Sequence, residues 1–128
     1  DESLASDIAK QAAIRGSGDD TERSSVFDIA RDLDWPSGWN LRTIRNSFSR
    51  RWSGDLAGLI QNLAKEQERF KAATEADDID VAAVIVGEAV DLVRARGPAQ
   101  TTLHEMILQA EDRLRCLNQS ITPHKGLK

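Results

Sequence analysis

Ser53-Gly-Asp-Leu-Ala-Gly-Leu-Ile-Gln-Asn-Leu-Ala-Lys-Glu-Gln-Glu-Arg-Phe-Lys-Ala-Ala-Thr-Glu-Ala76 is the stretch whose periodicity decides the fold class. Ser53 can cap a helix, and Asp55 falls in the first turn, where the partial positive charge of a helix start favours a carboxylate. Leu56, Leu59, Ile60, Leu63 and Phe70 recur along one face, while Gln61, Lys65, Glu68 and Arg69 fall on the other. The spacing predicts a helix over 53–76, broken by Asp77-Asp78-Ile79-Asp80.

The flanking residues extend the helical reading. Gly97-Pro98 opens a second helix over 98–117, since proline suits the first helical position. Leu103, Met106, Ile107, Ala110, Leu114 and Leu117 are expected to be its buried face. Residues 118–128 lack periodicity and are expected to be a disordered tail. Between the two helices, 77–97 is an apolar segment with Gly87 inside it, and its period fits either helix or strand. At the front, Leu4, Ile8 and Ala12 predict a helix over 1–16, capped by Asp1 or Ser3 and stopped by Gly16-Ser17-Gly18. Residues 17–52 are rich in loop formers. Within them Ser25-Val26-Phe27 suits a brief extended piece, Asp34 to Asn40 a loop, and Leu41 to Arg51 a short helix. The expected class is mainly α. Alternating strand–helix units are absent, and a (β/α)8 barrel needs about 250 residues.

Composition narrows the function classes. In 128 residues, 17 basic side chains face 21 acidic ones, a net charge of −4 that disfavours a nucleic-acid backbone or an anionic membrane as main partner. The longest apolar run, Val81 to Val86, is far short of the roughly 18 residues a membrane span needs. One cysteine, Cys116, excludes an internal disulfide framework and a multi-cysteine metal site, and fits a reducing, cytoplasmic setting. The chain begins Asp1-Glu2-Ser3 without an initiator Met and reads as a piece of something longer.

Most constellations with a chemical reading have a better structural one. Gly16-Ser17-Gly18 follows a helix rather than a strand, so it reads as a C-terminal cap and not a phosphate loop. Asp77, Asp78 and Asp80 do not make a calcium loop, because Ala83 and Ala89 stand where glycine and glutamate are needed. His104 and His124 lack a second His or Cys at helical spacing, so no metal site is expected. A His104–Cys116 pair is excluded by about 18 Å of helix rise. No catalytic and no cofactor-binding residue is expected in the chain.

Phe27 to Trp52 is unusual. It holds Phe27, Trp35, Trp39, Phe48 and Trp52, five of the six aromatics, interleaved with Arg31, Arg42, Arg45, Arg50 and Arg51 against three aspartates. The segment fits a base-stacking platform with phosphate-grasping guanidiniums. It also fits a docking surface whose aromatics pack on a neighbour while its arginines pair with Asp28, Asp32 and Asp34; the acidic chain favours this second reading. So small a helical chain offers little wall for such side chains, which points to a partner surface. Gly87 stays open between plain packing and close approach by another backbone or ligand, with Val86 and Glu88 beside it.

Several of these stretches, in this order, resemble the nitronate monooxygenases, formerly nitropropane dioxygenases. The residues are Gly18-Asp19-Asp20-Thr21, Val26-Phe27-Asp28-Ile29-Ala30-Arg31, Leu33-Asp34-Trp35-Pro36, Arg42-Thr43-Ile44-Arg45-Asn46-Ser47-Phe48, and Arg51-Trp52. The family's C-terminal part carries a T-x-x-T-x-x-F-D pattern, a Trp-Pro pair and an L-R-N-x-F stretch. Ser24 stands here for the second Thr and Ile44 for the Leu. Val86-Gly87-Glu88-Ala89-Val90-Asp91-Leu92-Val93 is similar to the family's A-G-E/Q-x-V-x-L-I, and Ala99 leads a matching closing helix. Asp1-Glu2-Ser3 and Lys10 look like the residues after the family's last barrel strand. The likeness runs to about Leu117.

The resemblance implies the helical extension that follows a (β/α)8 barrel holding FMN. The family oxidises alkyl nitronates with O2 to a carbonyl compound and nitrite. Its catalytic histidine and its flavin site belong to the barrel, so this stretch is expected to be inactive alone. Phe27, Trp35, Trp39, Phe48 and Trp52 would then dock on the barrel, and Val86, Gly87 and Glu88 would edge the pocket. The competing expectation is a free-standing helical module that binds a protein or single-stranded nucleic acid through the Trp/Arg segment.

Overall fold

The chain is described by a computed structural model that covers residues 2–121, with side chains over 2–117. It is mainly helical, with one small two-stranded sheet. Two units, residues 5–95 and residues 2–4 with 96–121, are taken in turn.

The core of the first unit forms around phenylalanines from three places in the sequence. Phe27 and Phe48 stack at 5.7 Å between ring centroids, and Phe70 tilts against both at 6.0 and 6.2 Å. Phe27 and Phe48 are fully buried, together with Val26 and Leu59, and each such side chain contributes about 2–3 kcal/mol of transfer free energy. Trp52, Ala30, Ala73, Val81 and Ala82 complete the cluster.

The elements that deliver these residues differ from the periodicity in instructive ways. Helix α1, Asp7–Arg15, starts at Ser6, whose Oγ accepts the Ala9 N–H, so the cap is not Ser3; Asp1 lies outside the described residues. Strand β1 is Thr21–Arg23, and Val26-Phe27 lies in helix α2, Val26–Ala30, rather than in an extended piece. The 41–51 stretch divides into β2, Arg42–Ile44, and α3, Ser47–Trp52. Asn46 makes that division: its side chain accepts the Ser49 N–H at 2.9 Å, while Ser49 Oγ accepts the Asn46 N–H at 3.1 Å. Ser53 ends α3 and is not a helix start. Asp55 instead caps α4, Leu56–Gln61.

The expected single helix over 53–76 is two. Asn62 leaves the helical region between α4 and α5, Leu63–Glu75, and its Nδ2 donates back to the Gly58 carbonyl at 2.8 Å. The break resets the buried face. Of the expected stripe only Leu59 is fully buried, Leu56 and Ile60 are exposed, and α5 turns Glu66 and Ala73 inward. Asp77, with φ at 55°, then carries the chain out of the helix.

Strands β1 and β2 pair antiparallel, Thr21 opposite Ile44 and Arg23 opposite Arg42. The apolar run after α5 is neither helix nor long strand. It lies against β2 as a third extended piece: Ile44 N–H donates to the Val84 carbonyl at 3.0 Å and Val86 N–H to the Arg42 carbonyl at 3.1 Å. A 3-10 turn over Glu88–Leu92 follows.

In the second unit α6 runs from Ala99 to Ile121, past the expected end at Leu117. Residues 122–128, which include His124 and most of the expected tail, lie outside the described residues. The Ala99 N–H at the start of α6 donates to the Glu2 carboxylate, 3.0 Å from Oε2. The stripe expected to be the buried face of this helix is exposed instead, Leu103 at 59%, Met106 at 61% and Leu114 at 67%.

Candidate functional site

Three of the quoted stretches meet at one end of the small sheet. Ser17 opens a 3-10 turn over Gly18–Asp20 by accepting the Asp19 N–H. The Gly18 N–H donates to Asp91 Oδ1 at 3.0 Å, which ties this turn to the one at Glu88–Leu92. A β-carbon at position 18 would stand 2.7 Å from the Glu88 carbonyl oxygen, so the approach requires glycine. The Thr21 hydroxyl donates to the Gly18 carbonyl at 2.7 Å and accepts from Arg42 Nη1 at 3.0 Å. Arg42 Nη2 then reaches Glu88 Oε2 at 3.3 Å.

Arg45 fastens the same turn from the other side. Its backbone N–H donates to the Asp20 carbonyl at 2.8 Å, its Nη1 to the Asp19 carbonyl at 2.8 Å, and its Nε lies 3.8 Å from Glu22. Ser53 Oγ donates to the same Glu22 carboxylate at 3.2 Å. Asn46, beyond its capping role, donates from Nδ2 to the carbonyls of Ile79 and Ala82, both at 2.9 Å. These bonds tie the start of α3 to the segment between α5 and the third extended piece.

The geometry revises the set of five docking aromatics. Phe27, Phe48 and Trp52 are spent on the chain's own core, so they cannot also face a barrel. Trp35 and Trp39, at 47% and 66% exposure, remain outside on the 32–40 loop. That loop is closed at its neck by the buried Asp28, whose carboxylate accepts the Leu41 N–H at 3.3 Å. The arginines of the segment are largely engaged as well: Arg42 and Arg45 as above, and Arg51 over the Trp52 ring at 4.7 Å.

The expected pocket edge is placed on the surface. Gly87 has ordinary extended geometry, φ −86° and ψ 167°, and a β-carbon there would meet nothing closer than Ala89 N at 4.0 Å. No backbone of this unit approaches it. Glu88 is exposed, and Val86 is half-buried with its N–H held by β2. His104 and Cys116 lie exposed on α6.

Phosphate chemistry is not built into the Gly16-Ser17-Gly18 turn. A carboxylate already occupies the Gly18 N–H, and the two guanidiniums at this end, Arg42 and Arg45, are already engaged with Thr21, Glu88, Asp19 and Glu22. An FMN phosphate therefore finds no fit there. Among the described residues no group of three His, Cys, Asp or Glu side chains could hold a metal ion, and no helix is long and apolar enough to cross a membrane.

Sequence reasoning missed the working parts of this arrangement. Asp28, Arg42, Arg45 and Asn46 lie inside the quoted stretches, yet only Asn46, three residues before Ser49, carries a local signature. Comparison with known proteins returns no matching family model, no matching curated protein and no matching solved structure.

Proposed function

We propose that these 128 residues are the helical segment following the (β/α)8 barrel of an FMN-dependent nitronate monooxygenase, and that they are inactive without that barrel. One observation carries the reading. Several of the positions on which the resemblance rests lock this unit together: Gly18 with Asp91, Arg42 with Glu88, Arg45 with Asp19 and Asp20, Asn46 with Ala82, and Phe27 with Phe48. The likeness therefore falls on residues with a physical reason to keep their identity.

FMN and the catalytic histidine would come from the barrel, since the turn at Gly18 does not fit the cofactor's phosphate. The flavin would supply the electron transfer between alkyl nitronate and O2. This chain would supply the exposed Trp35 and Trp39 as anchors on the barrel, and the open Val86-Gly87-Glu88 edge at the pocket mouth. The compartment in this reading is the cytoplasm.

The test is to purify the polypeptide containing Asp1 to Lys128 from its source and measure its mass, its flavin and nitrite release from an alkyl nitronate in air. The expected result is a mass well above 14.1 kDa, FMN released on denaturation, and nitrite formation. A flavin-free protein of 14.1 kDa would remove the proposal. In the full-length enzyme Gly87→Val is expected to change steady-state kinetics without loss of fold, because the position is open in this unit. Unchanged kinetics would take Gly87 off the pocket edge.

A second reading rests on the same two exposed tryptophans: a free-standing module that binds a protein. Salt-sensitive binding of the chain to single-stranded oligonucleotides would instead favour nucleic acid. The engagement of Arg42, Arg45 and Arg51 within the chain argues against that.

A further inference from the structure

The third extended piece is paired on one side only, and its bonding fixes which way each backbone group points. Ile44 N–H donates to the Val84 carbonyl and Val86 N–H to the Arg42 carbonyl, so Thr43 and Ile85 face each other as a non-hydrogen-bonded pair. In that arrangement the Ile85 N–H and C=O point away from β2. Neither has a partner among the described residues, and Ile85 is 51% exposed. Extended geometry continues through Gly87, whose N–H is likewise unbonded among the described residues.

Folded proteins ordinarily blunt such edges with charge, proline or a bulge, because unpaired backbone invites another chain. The β1 edge is protected in this way: the Thr21 N–H is spent on the Gly18 carbonyl, and the next outward position is Arg23. The opposite edge has no such protection. Ala83-Val84-Ile85-Val86-Gly87 carries neither charge nor proline, and a β-carbon at Gly87 would meet nothing closer than Ala89 N at 4.0 Å.

We propose that residues 85–87 receive an added β-strand, an extended segment of the barrel-bearing part of the parent protein, apolar where it lies beside Ile85. The unsatisfied chemistry of the edge selects this occupant. What remains is backbone: a donor and an acceptor at Ile85 and a donor at Gly87. Another extended backbone presents the matching acceptors and donor at strand spacing. A helix has spent those groups internally, and a simple ion satisfies only one sign of the set. The exposed Ile85 side chain sets the second requirement, since cross-strand neighbours pack side chain on side chain. The inference deepens the flavoenzyme reading and rests on it for the source of the strand. Under it the Val86-Gly87-Glu88 edge of the pocket mouth is built by two paired strands.

The test compares amide hydrogen exchange in the isolated 128-residue chain and in the endogenous polypeptide that contains it. Ile44 and Val86, bonded within the sheet, are expected to exchange slowly in both. Ile85 and Gly87 are expected to exchange near the unprotected rate in the isolated chain and at least about 100-fold more slowly in the larger protein. Ile85→Lys is expected to return the Gly87 amide of the larger protein to the fast rate. The same substitution should leave the melting of the isolated chain unchanged, because the position is exposed. A larger flavoprotein whose Ile85 and Gly87 amides exchange as fast as those of the isolated chain would overturn the added strand and leave the flavoenzyme reading standing. A flavin-free protein of 14.1 kDa would remove both. Protection in the isolated chain that rises with its concentration would give the edge to a second copy and overturn the proposal.

Discussion

Two glycines that look alike in the sequence do opposite things. Gly18 is pressed against the Glu88 carbonyl, where a β-carbon would stand at 2.7 Å, and its N–H holds Asp91. Gly87 sits in open space with φ at −86°. Gly18→Ala is therefore expected to destabilise the chain by about 2 kcal/mol, since a backbone oxygen cannot step aside as a flexible side chain can. Gly87→Ala is expected to stabilise it by about 0.5 kcal/mol, by reducing the freedom of the unfolded chain. Urea unfolding of the pair checks both signs, and equal effects would refute the distinction. Asn46 is the other decisive side chain. Asn46→Ala removes a helix cap and leaves the Ile79 and Ala82 carbonyls without their donor, one of them in a buried bond. A loss of about 3 kcal/mol is expected, well beyond an ordinary exposed cap. A loss under about 1 kcal/mol would mean that water replaces those bonds.

At the scale of elements, the readable parts were those whose cause is local. The spacing of Ile8 and Ala12, the Gly97-Pro98 opening and the Asp77–Asp80 break are properties of neighbouring residues, and each has a structural counterpart. The mainly helical class follows from them. The β1–β2 pair is not readable, because it depends on partners far along the chain, and the Asn62 break is hidden inside an otherwise continuous helical period although its partner, the Gly58 carbonyl, is local. Thr43, for example, is extended because Val84 to Val86 lie beside it, some forty residues later. The burial of the aromatics is illegible for the same reason: Phe70, outside the Trp/Arg segment, is what gives Phe27 and Phe48 a wall. Of the candidate site, the quoted stretches were visible, but which side chains would grip one another was not. The third extended piece also makes a prediction. Val86→Pro deletes the N–H that bonds the Arg42 carbonyl, and a cost of about 1–3 kcal/mol is expected. Ile85→Thr, at an exposed position, is expected to be near neutral. Equal thermal melts for Val86→Pro and the parent chain would show that this edge is not part of the cooperative core.

For the molecule as a whole, the distribution of burial separates core from helix. The buried apolar cluster runs from Val26 to Ala82, while α6 has no buried side chain over 99–117. Residues 5–95 hold that cluster by themselves and are expected to unfold cooperatively as one unit. A chain truncated to 5–95 is expected to melt within about 3 °C of the full chain and to keep its denaturant slope, while losing the helical signal of α6. A truncated chain that melts more than about 10 °C lower would assign α6 a share of the core.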